Sequence, residues 1–323
     1  GSAQANRSVS PQIDSENWTD LVGRQPRFGG QGSFDGRNCG LVAHSVGGTL
    51  LQHLKEHLLH GDLKNNHKIF YFTTCGWMMW NWLVSSLGVG ASIVLYDGHP
   101  FFPENDSLLK KMNYLDVDVF GTSAKYISHL NSQKIAPNKT GKFTNMRLIL
   151  STGSPLSNKS YDYVYNFWKK DVQLSSISGG TDIISCFALG NPLLKVSKGE
   201  LQCIGLGMDV VSYNRKGESV QNEKGELICR SPFPSMPICF WNDLNRSKYY
   251  KSYFDKYENV WTHGDFVEIK DSGGVIIYGR SDATLNPGGI RIGTAEIYSA
   301  IESIEWLQDS IAVNSSDANS YIL

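Results

Sequence analysis

Residues 117–133 read VDVFGTSAKYISHLNSQ, and this stretch contains both parts of the pattern that decides the fold. VDVFGTS is largely apolar and partly β-branched, which predicts a buried strand. AKYISHLNSQ follows directly and spaces its apolar side chains as a helix does. A strand that leads at once into a helix is the repeating unit of folds built on a mainly parallel sheet.

The same alternation extends over residues 49–180. Further strands are predicted at 68–74 (KIFYFTT), 91–98 (ASIVLYDG), 146–156 (MRLILSTGSPL) and 172–180 (VQLSSISGG). Further helices are predicted at 49–60 (TLLQHLKEHLLH), 77–87 (WMMWNWLVSSL), 106–115 (DSLLKKMNYL) and 160–170 (SYDYVYNFWKK). This order predicts an α/β fold with a mainly parallel sheet and flanking helices.

The segments before and after this region have different sequence patterns. Residues 1–40 are polar, glycine-rich and without periodicity, which predicts a leader or loop. Residues 199–231 predict short strands separated by RKGE and EKGE turns, hence a small antiparallel β subdomain. We therefore expect an α/β subdomain over 41–191 and a β-rich subdomain over 192–279.

Composition and charge describe an ordinary globular protein. The chain has 323 residues, of which 41% are hydrophobic and 19% charged. Thirty Lys and Arg nearly balance 31 Asp and Glu, so the sequence does not favour a nucleic-acid partner. Six cysteines are scattered without a CxxC motif, which favours reduced thiols in a reducing compartment over a disulfide framework or zinc site.

One apolar run is long enough to cross a membrane. Residues 69–96 contain no charged side chain. The GVG sequence at 88–90 interrupts this run, and the β-branched segment after it predicts a strand. Two buried strands flanking a buried helix explain the run equally well, and the βαβ pattern around it leads us to expect no membrane span.

Four stretches fall where strand-end turns are predicted, at the edge where parallel sheets bind ligands. They are FGTSAKY (120–126), STGSPLS (151–157), ISGGTDI (177–183), and WTHGDFVEI (261–269) with YGRSDATLNPGGIRIGTAEI (278–297). Each stretch alone is also explained as a turn. Thr181 and Asp182 nevertheless offer a hydroxyl and a carboxylate suited to Mg²⁺ or phosphate. Asp265 is an acceptor suited to ribose hydroxyls, and Arg280 is a fixed cation.

In this order the stretches resemble the adenylate-forming enzymes, the superfamily of acyl-CoA synthetases, luciferases and peptide-synthetase adenylation domains. Within it the likeness is to the acetoacetyl-CoA synthetases, carried by HSVGGTLLQHLKEHLLHGDL, TTCGWMMWNWLVSSLGVGASIVLYDG and GRSDATLNPGGIRIGTAEIYSAIE. It covers about residues 41–313. The resemblance implies a cytosolic acid–CoA ligase that uses ATP and Mg²⁺ to convert acetoacetate to an acyl-adenylate, and then transfers the acyl group to coenzyme A.

The resemblance also implies roles for particular residues. It assigns Thr181 and Asp182 to catalysis at the phosphates, with Asp182 holding the metal. The remaining nucleotide contacts that it implies are the adenine-bordering residues, a phosphate-lining glycine, a ribose acceptor and a cation, namely Gly153, Ser154, Pro155, Gly180, Asp265 and Arg280. Trp77 and Trp80 either shape an acyl pocket or, as is usual for aromatic side chains in a buried helix, belong to the core.

The sequence departs from the family pattern in its phosphate loop. Alignment on LVAHSVGG places residues 33–40 on that loop, with Gly40 where the family has a lysine and Phe34, Asp35 and Arg37 in place of small residues. Family members are also longer at both ends, so residues 280–323 correspond to a hinge, at Asp282, and the start of a C-terminal domain. The alternative is therefore a catalytically inactive fragment or isoform that at most binds nucleotide.

Overall fold

The computed structural model describes residues 42–241 and 243–281, together with residues 297, 300, 301 and 304. The predicted phosphate-loop segment 33–40 and the predicted hinge residue Asp282 lie outside the described residues.

A five-stranded sheet in which every neighbouring pair is parallel forms the first half of the fold. Its strand order is β3-β2-β4-β5-β6, where the strands are β2 Lys68–Tyr71, β3 Ser92–Val94, β4 Val119–Ser123, β5 Leu148–Thr152 and β6 Gln173–Ser176. The helices between and before them are α1 Val46–Lys55, α2 Met78–Ser85, α3 Ser107–Leu115, α4 Ala124–Ser132, α5 Pro137–Thr140 and α6 Asn158–Tyr163. The predicted α/β fold with a mainly parallel sheet is confirmed.

Hydrophobic cores lie on both faces of this sheet, because successive side chains of a strand point to opposite faces. One face is formed by a row in register across four strands, namely Phe70, Phe120, Ile149 and Leu174, and helices α3, α4 and α6 cover it. The other face is formed by Ile69, Tyr71, Val119, Leu148 and Leu150, and α2 covers it. The strands are buried on both sides, which explains their nearly continuous apolar sequences.

The predicted strand 172–180 is divided in the structure. β6 ends at Ser176, and Ser178–Gly180 forms β7 in a separate antiparallel sheet of order β7-β8-β9, with β8 at Ser185–Leu189 and β9 at Cys203–Ile204. Ile177 marks the break: its N–H donates to Ser151 O (2.8 Å) and its carbonyl accepts from Thr152 Oγ1 (3.1 Å). The chain therefore stays attached to β5 at the point where it leaves the parallel sheet.

A second five-stranded sheet, antiparallel throughout, has the order β11-β10-β12-β14-β15. Its strands are β10 Val210–Tyr213, β11 Ser219–Val220, β12 Gly225–Cys229, β14 Trp261–Ile269 and β15 Val275–Arg280. The short strand β1 Val42–Ala43 pairs with β13 Cys239–Phe240, and α7 spans Ser247–Tyr253. The Tyr253 ring stacks on Trp261 at 3.6 Å and anchors α7 on this sheet. The predicted small antiparallel subdomain is thereby confirmed.

The helix predicted at 49–60 is present, but it presents an unexpected face to the interior. It continues beyond α1 as a π-helical turn, Glu56–His60. Its leucines are largely exposed, with 61% of Leu51 and 54% of Leu59 accessible to solvent. The buried side chains are instead polar: Gln52, His53, Glu56, His57 and His60. An amphipathic helix normally buries its apolar stripe, so this inversion requires partners for the buried polar groups.

The apolar run 69–96 folds into β2, α2 and β3, as expected for buried strands flanking a helix. Within the described part of the chain, the helices are too short or too polar to cross a membrane.

Candidate active site

A tight turn between β7 and β8 carries the first predicted carboxylate. β7 ends at Gly180, residues 181–183 form a single 3₁₀ turn, and β8 begins at Ser185. This turn buries Asp182, which is 2% exposed, and leaves Thr181 half-buried. An added Cβ at Gly180 would overlap Asp182 Oδ1 and lie 2.9 Å from His263 Cε1, so a side chain at this position would displace the Asp182 carboxylate.

His263 lies between two carboxylates that are far apart in the sequence. Its Nδ1 atom is 4.0 Å from Asp182 Oδ2, and its Nε2 atom is 3.4 Å from Asp265 Oδ2. The imidazole is 1% exposed and packs edge-on against Phe187, with ring centroids 4.7 Å apart. The buried ring of this β14 residue therefore lies beside the β7–β8 turn.

Arg280 completes this group from the last position of β15. It pairs in register with Asp265, and its Nη1 atom lies 3.5 Å from Asp265 Oδ1 and donates to His263 O at 3.2 Å. Arg280 is one-third exposed whereas the Asp265 side chain is 10% exposed, so the guanidinium lies at the boundary between the buried carboxylates and solvent. A planar cation at such a boundary is suited to phosphate or ribose oxygens.

The predicted adenine-bordering residues follow the neighbouring strand β5. Gly153, Ser154 and Pro155 are exposed, and Gly153 has φ +93°, a conformation that favours glycine. Ile177 is hydrogen-bonded to Ser151 and Thr152 at the end of β5. Gly180 is three residues after Ile177, so the Cα atoms of Ile177 and Gly180 are at most about 11 Å apart. Both loops therefore leave the carboxyl edge of the parallel sheet, where such sheets bind ligands.

The structure thus brings Gly180, Asp182, Asp265 and Arg280 together, with Thr181 in the same turn and residues 153–155 on the adjacent loop. Trp77 and Trp80 are half-buried and pack against the core that covers β2, with Trp77 in edge contact with Tyr71. These contacts favour the core role for both tryptophans.

His263 is the site residue that sequence reasoning missed. It occurs in the WTHGDFVEI stretch, but only Asp265 was selected there for its chemistry. The sequence predicted a strand-end turn at 261–269, but the structure has the continuous strand β14 there, and residues two positions apart on a strand lie on the same face, as His263 and Asp265 do. Its second partner, Asp182, is 81 positions earlier and is not predictable from local sequence.

The donor set suits a metal held jointly with a substrate. Within residues 42–241 and 243–281, no cluster of three or more His, Cys, Asp or Glu side chains could hold a metal ion by itself. Mg²⁺ is usually held by one or two carboxylates together with substrate phosphates, so the buried Asp182 carboxylate beside the Thr181 hydroxyl fits that arrangement. A groove of about 670 Å³ lined by Arg246, Tyr249 and Phe254 contains none of the predicted site residues, so the candidate site rests on side-chain chemistry rather than on cavity size.

Comparison with known proteins identifies the relatives of this chain. It is 54% identical over 272 residues to the acetoacetyl-coenzyme A synthetase of Rhizobium meliloti, and 50% identical over 273 residues to the acetoacetyl-CoA synthetase of Gallus gallus. Over this region the chain is a homologue of the acetoacetyl-CoA synthetases. The alignments cover 84% of this chain but only 42% and 41% of those relatives, so the chain spans about two fifths of their length.

Solved structures support the same conclusion. An acetoacetyl-CoA synthetase from Streptomyces lividans matches with a TM-score of 0.81 and 40% identity, over 86% of this chain and 43% of that one. An anthranilate CoA ligase, AuaEII, solved with anthranoyl-AMP, matches with a TM-score of 0.74 over 90% of this chain and 54% of its own. At 17% identity the second likeness concerns the fold alone. No family model matches the chain.

Proposed function

We propose that this chain provides the nucleotide-binding part of an ATP-dependent acid–CoA ligase of the acetoacetyl-CoA synthetase type. The proposal is supported by the group of Asp182, His263, Asp265 and Arg280, which lies within the region homologous to those enzymes. The substrates would be acetoacetate, ATP and coenzyme A. Five cysteines of the described chain, Cys75, Cys186, Cys203, Cys229 and Cys239, are free thiols, which supports a reducing compartment such as the cytosol.

In the proposed reaction, a carboxylate oxygen of acetoacetate attacks the α-phosphorus of ATP. The bond to the β-phosphate breaks, pyrophosphate leaves and an acyl-adenylate forms. The thiolate of coenzyme A then attacks the acyl carbonyl and AMP leaves. Both steps develop charge on phosphate oxygens or on the acyl oxygen, so the protein contributes chiefly by positioning and by electrostatic stabilisation.

Each member of the group has a proposed task. The Asp265 carboxylate accepts hydrogen bonds from the ribose hydroxyls, and Arg280 interacts with a nucleotide oxygen while keeping Asp265 oriented. Thr181 and Asp182 face the phosphates, with Gly180 allowing close backbone approach. Asp182 would hold Mg²⁺, which supplies positive charge to the phosphates when bound. Gly153, Ser154 and Pro155 would border the adenine.

The test is binding of Mg·ATP measured by calorimetry on the full chain, with Asp265→Ala as the central variant. Hydrogen bonds to a charged group contribute roughly 1.5–3 kcal/mol, so we expect the variant to raise Kd roughly 10- to 150-fold. Asp271→Ala is the matched control, since Asp271 is an exposed aspartate in the β14–β15 turn and should leave Kd unchanged.

Turnover is tested separately by pyrophosphate release with acetoacetate and coenzyme A. Binding that depends on Asp265 without pyrophosphate release would leave only the nucleotide-binding alternative. Equal affinities for the parent chain and Asp265→Ala would refute the proposed ribose contact.

A further inference from the structure

A buried polar network lies directly behind the turn that carries Thr181 and Asp182. It consists of Gln52, His53 and Glu56 on the first helix, Trp82 on α2, and residues 184–185 at the start of β8. We call it the α1 network. It accounts for the inverted helix face, because Gln52, His53 and Glu56 each form at least one hydrogen bond inside the protein.

Glu56 is the centre of this network. Its side chain is fully buried, and Oε1 accepts from Gln52 Nε2 (2.9 Å) and Ser185 Oγ (2.5 Å). Oε2 accepts from the indole N–H of Trp82 at 2.9 Å. One carboxylate therefore connects α1, the helix α2 and the first residue of β8.

His53 holds the residue before Ser185. Its Nε2 atom lies 2.5 Å from the carbonyl oxygen of Ile184, to which it donates. Ile184 has φ +48°, the left-handed region that a β-branched residue rarely adopts. Such a conformation is strained and persists only where the surrounding structure enforces it. The hydrogen bonds at Ile184 and Ser185 supply that enforcement.

Stability alone gives a weak reason for this arrangement. A buried charged group is costly, and well-packed apolar side chains in its place are often at least as stabilising. Unlike an apolar contact, a hydrogen bond is directional. The α1 network therefore fixes the backbone at Ile184 and Ser185, just after Asp182, in one strained geometry.

We propose that Glu56 and His53 are positioning residues for the Thr181–Asp182 turn, and that Glu56 couples this turn to α2 through Trp82. The part that concerns nucleotide rests on the proposed function. In this proposal both residues act through their hydrogen bonds to Ile184 and Ser185.

The primary variant is Ser185→Ala, which removes the hydroxyl that joins β8 to Glu56. Glu56→Gln is the stronger variant, because its amide places an N–H group against one of the donors that the carboxylate now accepts from. Tyr163→Phe is the matched control, since it removes a buried hydroxyl that donates to Ile135 O at 2.6 Å in a different core. If Glu56→Gln does not fold, Ser185→Ala still decides the question.

Hydrogen exchange of the peptide covering residues 178–189 is measured first, without nucleotide. Loss of one buried hydrogen bond corresponds to roughly a tenfold change in an opening equilibrium, so Ser185→Ala should speed exchange of the Ile184 amide about tenfold. This amide donates to Thr181 O at 3.1 Å and so reports on the turn itself. Tyr163→Phe should leave it unchanged. Unchanged exchange in both network variants would overturn the positioning role.

The second measurement compares the Kd of Mg·ATP with that of AMP. Displacement of Asp182 should weaken Mg·ATP binding several-fold more than AMP binding, whereas general destabilisation would change both equally. Equal changes would refute the link to Asp182 even if exchange is faster. If the parent chain binds neither nucleotide, the proposed function fails for this chain, and the exchange measurement still decides whether the network holds the turn.

Discussion

The buried histidine His57 predicts a specific loss of stability in acid. It lies in the π turn after α1, is 1% exposed, and its Nε2 atom is 2.9 Å from the carbonyl oxygen of Trp82. Burial lowers its pKa from 6.5 to about 3, and the neighbouring His53 adds to this effect. The perturbation is a change from pH 7 to pH 5, at which an unfolded histidine is protonated while the folded His57 is still neutral.

The sign follows from proton binding. Because the folded pKa is depressed, the unfolded state binds more protons below pH 6.5, so the stability is fully present above that pH and is lost as the pH falls toward 3. At pH 5 the separation from 6.5 is 1.5 units, which corresponds to about 2 kcal/mol at 1.36 kcal/mol per unit. The loss continues to about 5 kcal/mol near pH 3.

The assay is urea unfolding of the parent chain and of His57→Gln at pH 7 and pH 5. Glutamine can still donate to Trp82 O but does not titrate, so the pH-dependent loss should be smaller in the variant by about 2 kcal/mol. Titratable groups that do not interact with His57 contribute to both proteins and cancel in this difference, whereas the contribution of the coupled His53 is part of it. His129→Gln, at an exposed histidine, controls for the chemistry of the substitution. A difference below about 0.5 kcal/mol would refute the proposed burial of neutral His57.

Three further variants, one of them a double substitution, test other features of the structure. Gly180→Ala should weaken Mg·ATP binding, because the new methyl group overlaps the Asp182 carboxylate in the same turn. Gly76→Ala is the control, since a Cβ there meets nothing within 4 Å. Equal Mg·ATP affinities of Gly180→Ala and the parent chain would refute the close packing at Gly180. The double variant Leu51→Gln, Leu59→Gln should change the free energy of unfolding by less than about 1 kcal/mol, since both leucines are exposed. It should also reduce self-association measured by light scattering. A large destabilisation would show that the two leucines are buried. Lys134→Gly should raise the free energy of unfolding by about 1 kcal/mol, because this exposed residue follows α4 with φ +53°, and a decrease would contradict that backbone geometry.

The parallel sheet was predictable because its evidence is local. A strand buried on both faces is an apolar run, and a helix between two such strands keeps its own period, so residues 117–133 already contain the unit that repeats. The strand break at Ile177 was not predictable, because VQLSSISGG has no local interruption there. What separates β6 from β7 is the change of pairing partner after Ile177: this residue is still hydrogen-bonded to β5, whereas Ser178–Gly180 pairs with β8, a strand that comes later in the chain.

Some residues of the candidate site could likewise be selected from local sequence, whereas another could not. Asp182 and Asp265 could be selected from the sequence because each is a carboxylate beside glycines at a predicted strand end. His263 lies between them, and it comes within 4.0 Å of Asp182 only once the β7–β8 turn meets β14. Local pattern therefore selected the candidate carboxylates, whereas the histidine that lies between them is placed there by tertiary packing.

The first helix shows most clearly that local spacing does not determine which side chains are buried. Its leucine spacing predicted a helix correctly, but the spacing did not reveal that this helix buries polar side chains and leaves most of those leucines exposed. The reason is that His53 and Glu56 find their partners on Ile184 and Ser185, about 130 positions later, where hydrogen bonds offset the cost of burying polar groups. The buried face of this helix therefore forms directional hydrogen bonds instead of apolar contacts. Those hydrogen bonds are made to Ile184 and Ser185, close to Asp182 in the chain. The inverted helix and the strained turn are therefore two parts of one structural feature.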